Sequence, residues 1–494
     1  MTHLENNPLI YEINTRVWLD ELSRAAGKPL SLATVPDEVW DGIAGLGFDA
    51  VWLMGVWERS PAGIAISMRN PGLLEDFRRA LPDFDAADNV GSPYCFRRYV
   101  ADAHLGGPQG LALARKALSE RGMGLILDFV PNHVAPDHPW TLEHPEFFIQ
   151  GSAQDLADDP ASFVETGGRV FACGRDPYFP AWPDVLQLNA FDPGLRRAAI
   201  DTLTDIAGQC DGVRCDMAML LMSDVFERTW GGRAGARPES EYWRLVIPAV
   251  KTAFPDFRFL AEAYWDLEWE LQQQGFDFCY DKRLYDRLEH GPAASVGGHL
   301  DADPTYQSGL VRFVENHDEP RAAAAFGPER QRAAALVALT LPGAALVHEG
   351  QLEGRRVRLP VFLARRPDEK PDMELRAFYE TILGSLRVES FRRGEWRRMV
   401  CTGWPDNRSC ENMLAWGWKT DWSRCLVVVN LSGAPAQAMV AGLWDDIAGQ
   451  AWCLYDLPYV RHYDRDGAEM LAEGLYVDLP AWGLHFMEWC PRVC

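Results

Sequence analysis

The stretch GLILDFVPNH, residues 124–133, contains the clearest strand in the sequence and decides the fold. Its apolar run is continuous, which is typical of a strand buried on both faces of a parallel sheet. The stretch before it, GLALARKALSERG at residues 110–122, has the apolar spacing of an amphipathic helix. A helix followed by a fully buried strand is one unit of an α/β protein, and such units occur in series.

Seven other short stretches repeat this pattern, and helical patterns lie between them. One of these, DPGLRRAAIDTLTDIAGQ, offers Asp192 as a helix cap and Pro193 for the first turn of the helix. Eight alternating units predict the α/β class and a (β/α)8 TIM barrel. The seven other predicted strands cover residues 9–18, 48–57, 210–216, 257–264, 276–281, 310–318 and 343–350.

Two regions depart from the barrel pattern. Residues 134–190 form an excursion after the third strand that is long enough to be a small B subdomain. Beyond about residue 390, alternating apolar stretches such as CLVVVNLSG predict a C-terminal antiparallel β-sandwich domain. The predicted limits are 1–133 and 191–390 for the two parts of the barrel, 134–190 for the excursion and 391–494 for the β domain.

Composition limits the classes of partner. The 494 residues carry a net charge of −23, which repels nucleic acid and acidic membranes. No apolar run approaches the roughly 20 residues of a membrane-spanning helix. The N-terminal stretch lacks a secretory signal, so we expect a cytoplasmic protein. Eleven cysteines without a CxxC spacing predict reduced thiols, with Cys490 and Cys494 as a pair only in an oxidising medium. The oligomeric state is left open.

Polar clusters stand at the C-terminal ends of four predicted strands, where TIM barrels carry their catalytic groups. A single strand-end acid is more often a helix cap, and a single histidine is more often a satisfied core residue. Four clusters in series instead indicate a site built from carboxylates. The clusters are DFVPNH with Asp128, Asn132 and His133, GVRCD with Arg214 and Asp216, LAEAY with Glu262, and ENHDEPR with His317, Asp318 and Arg321.

These clusters resemble the motifs of the α-amylase family, glycoside hydrolase family 13. DFVPNH has the family pattern DxxxNH, GVRCD has GxRxD, the fifth strand ends in a glutamate, and the seventh carries NHD. The stretches NVGSPYCFRRYVADAHLGGPQGL (89–111) and WPDVLQLNAFDPGLRRA (182–198) are also similar to family segments. The resemblance covers about residues 8–350, and the β domain also fits the family.

The resemblance implies a retaining mechanism on α-glucosidic bonds. Asp216 would be the nucleophile, Glu262 the general acid/base, and Asp318 the group that stabilises the transition state. A retaining pair of carboxyl groups lies about 5–5.5 Å apart, and the fourth and fifth barrel strands are neighbours. We expect neighbouring negative charge to raise the pKa of Glu262 so that it holds a proton.

Other residues are expected to bind the sugar or to organise the site. Arg214 and Asp216 are two residues apart on one strand, so both should face the barrel axis, and Arg214 should lower the pKa of Asp216. Asp128 is expected to organise Arg214. The predicted substrate-binding residues are Tyr94, His133, Arg214, His317 and Arg321, with Tyr94 as the platform on which the sugar stacks.

The sequence departs from the family pattern at the usual calcium and acceptor positions. Asn132 matches one calcium ligand, but Asn189 stands where a calcium-binding aspartate is common. Met219 and Leu220 replace the Lys-His pair that follows the nucleophile in many starch-degrading members. No cofactor is therefore required, and calcium is left open, because hard cations usually need more carboxylate ligands.

Three functions remain open from the sequence. The first is a hydrolase of short α-glucans or α-glucosides, because the modest excursion suggests a pocket or a short cleft. The second is a transglycosylase or sugar isomerase of the same family that uses the same nucleophile. The third is a non-catalytic sugar-binding protein on the same fold, which the presence of Asp216, Glu262 and Asp318 disfavours.

Overall fold

The computed structural model describes residue 4 and residues 7–491 of the chain. Eight parallel strands close into a barrel in which each strand pairs with its neighbour in sequence order and the last pairs with the first. All eight strands fall within the stretches predicted from the sequence. They are β1 Leu9–Asn14, β2 Ala50–Met54, β3 Gly124–Phe129, β4 Gly212–Cys215, β5 Arg258–Ala261, β6 Phe278–Tyr280, β7 Leu310–Arg312 and β8 Ala344–His348.

Helices connect the barrel strands and bury the outer face of the sheet. The helix predicted after Asp192 runs over Pro193–Ala207, and the Asp192 side chain caps it by accepting from the Leu195 backbone N–H. The helices between β1 and the end of β8 are Thr15–Ala26, Asp37–Gly45, Pro61–Ser67, Pro71–Ala80, Gly107–Ser119, Trp140–Glu143, Ala153–Asp158, Pro193–Ala207, Ser223–Trp230, Tyr242–Ala253, Glu268–Gln273, Lys282–His290, Ala293–Leu300, Pro304–Ser308, Ala322–Ala325 and Pro328–Thr340.

Excursions from the barrel after β2 and after β3 each carry a small antiparallel sheet near the C-terminal end of the barrel. After β2, the strands Trp57–Arg59 and Phe96–Ala101 pair with each other. After β3, a four-stranded sheet is made of His133–Val134, Phe163–Thr166, Arg169–Gly174 and Trp182–Gln187. The second sheet places His133 beside Gln187, at the point where the excursion leaves and rejoins the barrel.

The C-terminal region is an antiparallel β domain, as predicted. Part of its apolar side chains form a core of their own, whereas others, such as Trp416 and Val427, pack in the same core as the barrel. The strand β9 contributes to both halves of the sheet by pairing first with β10 and then with β12. The strands are β9 Glu395–Thr402, β10 Met413–Lys419, β11 Arg424–Asn430, β12 Ala436–Ala441, β13 Ala451–Asp456, β14 Arg461–Asp466, β15 Leu475–Leu479 and β16 Leu484–Pro491.

Three more helices follow β8. Met373–Ser385 and Glu389–Arg393 link β8 to the β domain, and Gly467–Glu473 lies between β14 and β15. The helix Gly467–Glu473 lies in the region beyond about residue 390, for which only β structure was predicted. The exact domain limits stay predictions.

The barrel and the β domain are joined by buried hydrogen bonds. The indoles of Trp416 and Trp418 on β10 donate to Thr340, at the end of the helix before β8. The distances are 3.2 Å to the hydroxyl and 2.8 Å to the carbonyl oxygen. Thr340 is completely buried.

All ten cysteines in the described part of the chain have free thiols, and most are buried, as predicted. Cys494, the other half of the suggested pair with Cys490, lies outside the described residues. Within residue 4 and residues 7–491, no helix has the length and apolar character needed to cross a membrane.

Candidate active site

A pocket of about 480 Å³ opens at the C-terminal end of the barrel, where the strand-end clusters meet. The structure therefore brings together side chains that are far apart in sequence, because parallel strands of a barrel all end at the same face. Five predicted site residues line this pocket: Tyr94, His133, Asp216, Glu262 and Asp318.

The guanidinium of Arg214 joins two of the predicted catalytic carboxylates. Its Nη1 lies 2.6 Å from Asp216 Oδ1, and its Nη2 lies 2.7 Å from Glu262 Oε2. Asp128 on β3 completes the group, 4.0 Å from Nη1, and its other oxygen accepts from the Gly55 backbone N–H. The contact of Arg214 with Asp216 follows from their positions two residues apart. The contact with Glu262 was not predicted.

The environment of Asp216 differs from the expectation in one respect. Burial raises the pKa of the Asp216 carboxyl, and the Arg214 guanidinium opposes this without reversing it. Arg214 lowers the pKa of Asp216 as predicted, but the net shift is upward because burial outweighs it. The negative charges of Asp318 and Asp128 add to the upward shift. Arg214 is thus the main group that favours the ionised form of Asp216 against the effect of burial.

Glu262 is held by three contacts at the end of β5. Besides Arg214, the Met217 backbone N–H donates to Oε2 over 2.7 Å, and the Tyr264 hydroxyl donates to Oε1 over 3.0 Å. The pKa of Glu262 is raised to about 7. Burial is the largest cause, and the charges of Asp216 and Asp318 contribute less, so the predicted direction holds but the leading cause is different.

The residue after Asp216 has an unusual backbone. Met217 has φ 45° and ψ 45°, the left-handed region that costs a non-glycine residue about 1–3 kcal/mol. This conformation directs the Met217 N–H to Glu262 and places Met217 in the pocket wall. Met219 and Leu220, which replace the family's polar pair, are buried in the core and do not line the pocket. Of these three apolar residues, only Met217 lines it.

Asp318 belongs to a second chain of polar contacts. Its Oδ2 lies 3.0 Å from His317 Nε2, which is also 2.6 Å from the Tyr94 hydroxyl oxygen. The recessed position of Asp318 would raise its pKa, but His317 outweighs this and holds the pKa well below its usual range. On the other side of the ring, His317 Nδ1 lies 2.5 Å from Glu12 Oε1. Glu12 is completely buried on β1 and was not predicted.

Tyr94 and His133 form the remaining polar edge of the pocket. The Tyr94 ring lies 5.1 Å from the Arg214 guanidinium, so one side of the ring is already covered. His133 packs edge-on against Trp182 at 5.3 Å, and burial lowers its pKa to about 3. A neutral His133 can offer one donor and one acceptor nitrogen to a ligand in the pocket.

The structure places Arg321 away from this group. Its guanidinium lies 2.6 Å from Glu315 Oε1 and 2.5 Å from His348 Nδ1, and it donates to the Glu349 carbonyl oxygen over 2.9 Å. Arg321 is 4% exposed and does not line the pocket that contains Asp216. Its assignment as a substrate-binding residue stays a prediction that this geometry does not support.

The residues at the family's calcium position do not fit a calcium ion. Gln187, not Asn189, faces Asn132, and its Nε2 donates to both oxygens of Asn132 at 3.0 and 2.9 Å. The oxygens that would ligate a cation are therefore occupied by N–H donors, and neither partner is a carboxylate. In the described part of the chain, no group of three or more His, Cys, Asp or Glu side chains could hold a metal ion.

We expect that a chelator leaves the melting temperature of the protein unchanged. Gln187→Asp should place a carboxylate opposite Asn132 and make the melting temperature rise when calcium is added, because hard cations prefer carboxylate ligands. Gln274→Glu, at another buried glutamine, is the matched control and should show no response to calcium. Loss of structure in the wild type on treatment with a chelator would contradict the amide pairing.

Sequence comparisons find related enzymes but no matching family model. The chain is 27% identical over 361 residues to an α-amylase of Haloarcula japonica, which covers 71% of this chain and 44% of the relative. It is 27% identical over 276 residues to a trehalose synthase/amylase of Mycobacterium tuberculosis, covering 52% and 39% of the two chains. The chain thus spans less than half of the length of these two relatives.

Solved structures with the same fold cover nearly the whole chain. A maltogenic α-amylase of Thermotoga neapolitana matches with a TM-score of 0.69 at 20% identity, covering 99% of each chain. An α-amylase of Geobacillus thermoleovorans, solved with acarbose, matches with a TM-score of 0.66 at 18% identity, covering 98% of this chain and 99% of its own. These identities establish the fold alone. The sequence relatives and the four strand-end motifs in their order support the α-amylase family of glycoside hydrolases for this chain.

Proposed function

We propose that the protein is a retaining glycosidase that hydrolyses α-glucosidic bonds of short α-glucans or α-glucosides. The observation that carries the proposal is the single guanidinium of Arg214, which binds Asp216 at 2.6 Å and Glu262 at 2.7 Å. Two carboxyl groups that share one guanidinium are close neighbours, in keeping with the spacing of about 5–5.5 Å that a retaining pair needs.

The two carboxyl groups differ in the way that the reaction requires. In the first step, Asp216 attacks the anomeric carbon while Glu262 gives its proton to the glycosidic oxygen, and the leaving group departs as an alcohol. In the second step, Glu262 takes a proton from water, the water oxygen attacks the anomeric carbon, and Asp216 is released. A pKa of about 7 suits Glu262 to both roles near neutral pH.

The remaining polar residues of the pocket would bind the sugar. Asp318, ionised and exposed to the pocket, is placed to accept hydrogen bonds from ring hydroxyls and to stabilise positive charge in the transition state. His133 and His317 would bind hydroxyls, and Tyr94 would stack on the ring through its free side. We assign Asp128 to the support of Arg214.

The shape of the pocket favours short substrates. On the Asp318 side, its wall includes Leu73 of the helix Pro71–Ala80 and Phe362 of the segment after β8. The Val90 N–H donates to the Phe362 carbonyl oxygen at 2.9 Å, and Arg365 binds the Asp88 carboxylate at 2.7 Å. These bonds fasten the excursion after β2 to the segment after β8, which narrows the cleft on this side.

The test is an assay of a panel of short α-glucosides followed by proton NMR. We expect free glucose whose first-formed anomer is α, because two displacements at the anomeric carbon restore its configuration. A first-formed β anomer would contradict the mechanism. New disaccharides in place of glucose would establish the transglycosylase or isomerase alternative. Sugar binding without any product would establish the sugar-binding protein. Protein with Asp216→Asn, purified in the same way, controls for contaminating glycosidases.

A further inference from the structure

A buried glutamate on β1 contacts the site from behind His317. Glu12 is the only acid in the strand LIYEIN, and it is completely buried. Its Oε1 lies 2.5 Å from His317 Nδ1. Its other oxygen, Oε2, is buried without a hydrogen-bond partner in the described part of the protein. Burying a carboxylate with one oxygen left without a partner is costly unless a positively charged group lies beside it.

The two ring nitrogens of His317 both face acceptors. Nδ1 faces Glu12, whereas Nε2 faces Asp318 Oδ2 at 3.0 Å and the Tyr94 hydroxyl oxygen at 2.6 Å. A neutral imidazole carries one N–H and can donate from only one nitrogen, whereas an imidazolium donates from both. Because both nitrogens of the His317 ring face a carboxylate, the doubly protonated form can donate to each of them.

We propose that Glu12 is a positioning residue that keeps His317 as an imidazolium in a fixed orientation, so that Nε2–H is directed at Asp318 and at a bound sugar. The part that concerns the sugar rests on the proposed function, and the part that concerns the state of His317 does not. Glu12 itself touches neither the sugar nor the reacting atoms and acts through His317.

The surroundings of His317 agree with this assignment. Burial alone would lower the pKa of His317, but Asp318 and Glu12 raise it to about 10. Two carboxylates thus outweigh the cost of burying the positive charge. The titratable groups that face or act on the ring from neighbouring elements are Glu12, Tyr94, Asp128, Asp318 and His348. The Trp52 ring packs against it edge-on at 5.5 Å.

The consequence for the site is that Asp318 has a permanent cation beside it. If His317 were neutral, Asp318 would lose the group that outweighs the effect of its recessed position. Its pKa would rise, and it would be less able to stabilise positive charge on the sugar. As an imidazolium, His317 also keeps an N–H at Nε2 that a sugar hydroxyl could share with Asp318.

The proposal is tested with Glu12→Gln on the full-length protein labelled with ¹⁵N in its histidines. Glutamine has nearly the same size and can still accept from Nδ1–H, so the ring stays held while the negative charge is removed. We expect NMR to show His317 doubly protonated in the wild type from pH 6 to about 9, and to titrate lower by roughly one to three pH units in the variant. The His317→Gln spectrum identifies the signal.

A kinetic readout separates this role from a purely structural one. The ratio of kcat in Glu12→Gln to kcat in the wild type should fall as pH rises and recover as pH is lowered, because protons from solution restore the imidazolium. KM should change less than kcat, since Glu12 makes no contact with the sugar. A ratio that does not vary with pH would overturn the proposal, because a packing defect has no reason to be reversed by protons.

Two further variants complete the test. Glu12→Asp keeps the charge, so the His317 signal should stay doubly protonated near neutral pH, which remains informative if the glutamine variant does not fold. Glu268→Gln removes another buried glutamate, outside the site, and should leave the His317 titration unchanged. A wild-type His317 that is neutral at pH 7 would overturn the proposal. Absence of glycosidase activity with the expected titration would instead overturn only the proposed function.

Discussion

Replacing Asp216 with asparagine is expected to lower kcat on a short α-glucoside by on the order of 10⁴-fold or more. The amide cannot form the covalent ester with the anomeric carbon, and its oxygen is a poor nucleophile. Initial rates measured on purified protein test this. Azide added to the smaller variant Asp216→Ala should restore product release as a glycosyl azide of inverted configuration, because the small anion can enter the space left by the carboxylate.

Asp216→Asn should not destabilise the protein at neutral pH. Burial raises the pKa of Asp216, which means that the folded state favours the neutral carboxyl over the ionised one. At a pH above the pKa of the unfolded carboxyl, a neutral amide of the same shape avoids the cost of burying the ionised carboxylate. We therefore expect thermal unfolding of Asp216→Asn at or above the wild-type temperature at pH 7. Turnover at the wild-type rate in this variant would refute the assignment of the nucleophile.

Replacing Arg214 with methionine should remove activity and lower the free energy of unfolding by about 3–5 kcal/mol at pH 7. Arg214 is 1% exposed and neutralises Asp216 and Glu262 directly, with Asp128 at 4.0 Å. Without it, three buried carboxyl groups lose their cation. Their pKa values in the folded state then rise further above those of the unfolded chain, so Asp216 is protonated and cannot attack. Urea unfolding and initial rates measure the two losses.

The loss of unfolding free energy in Arg214→Met should depend on pH with a definite sign. Groups whose pKa is raised by folding stabilise the protein below their unfolded pKa and cost stability as pH rises. The difference in unfolding free energy between the wild type and Arg214→Met should therefore be smaller at pH 5 than at pH 7. Arg312→Met is the matched control, since Arg312 is equally buried but faces Asp281, outside the pocket. It should lose stability and keep most of its kcat. Full activity in Arg214→Met would refute the role of Arg214.

The part of the fold that the sequence predicts best is the barrel. Each barrel strand is short, continuous in its apolar run and followed by a helical pattern, so its position depends on local residues alone. The strand ends follow from this, and with them the meeting of Asp128, Asp216, Glu262 and Asp318. The helix Gly467–Glu473 was missed because a seven-residue helix within a β domain is fixed by its packing rather than by its own sequence pattern.

The parts of the site that were missed depend on contacts across the barrel. The stretch LIYEIN contains one acid, Glu12, and an acid in the interior of a buried strand is a signal that something must neutralise it. The sequence does not say that the partner is His317, which lies 305 positions away. Arg321 shows that a charged residue next to a strand-end motif can be bound by a neighbour such as Glu315 without lining the pocket.

Gln187 shows the limit of alignment by motif. The expected calcium position was assigned to Asn189, but strand pairing puts His133 opposite Gln187, and the Asn132 side chain follows that register. Alternate residues of a strand point to the same face, so Asn189 and Gln187 cannot be distinguished by face alone. Only the register of the sheet identifies which of them meets Asn132.

The two tryptophans that donate to Thr340 bear on how this chain could have evolved. A β domain that made no buried contacts with the barrel could be lost or exchanged among relatives without affecting the barrel. Here its removal would expose the end of the helix before β8 and the apolar barrel surface that Trp416 and Trp418 cover. Water could satisfy the Thr340 carbonyl and hydroxyl, but lineages that replace this domain would need another apolar surface at this place. The contact between the barrel and the β domain therefore limits which other domains could replace the β domain by recombination.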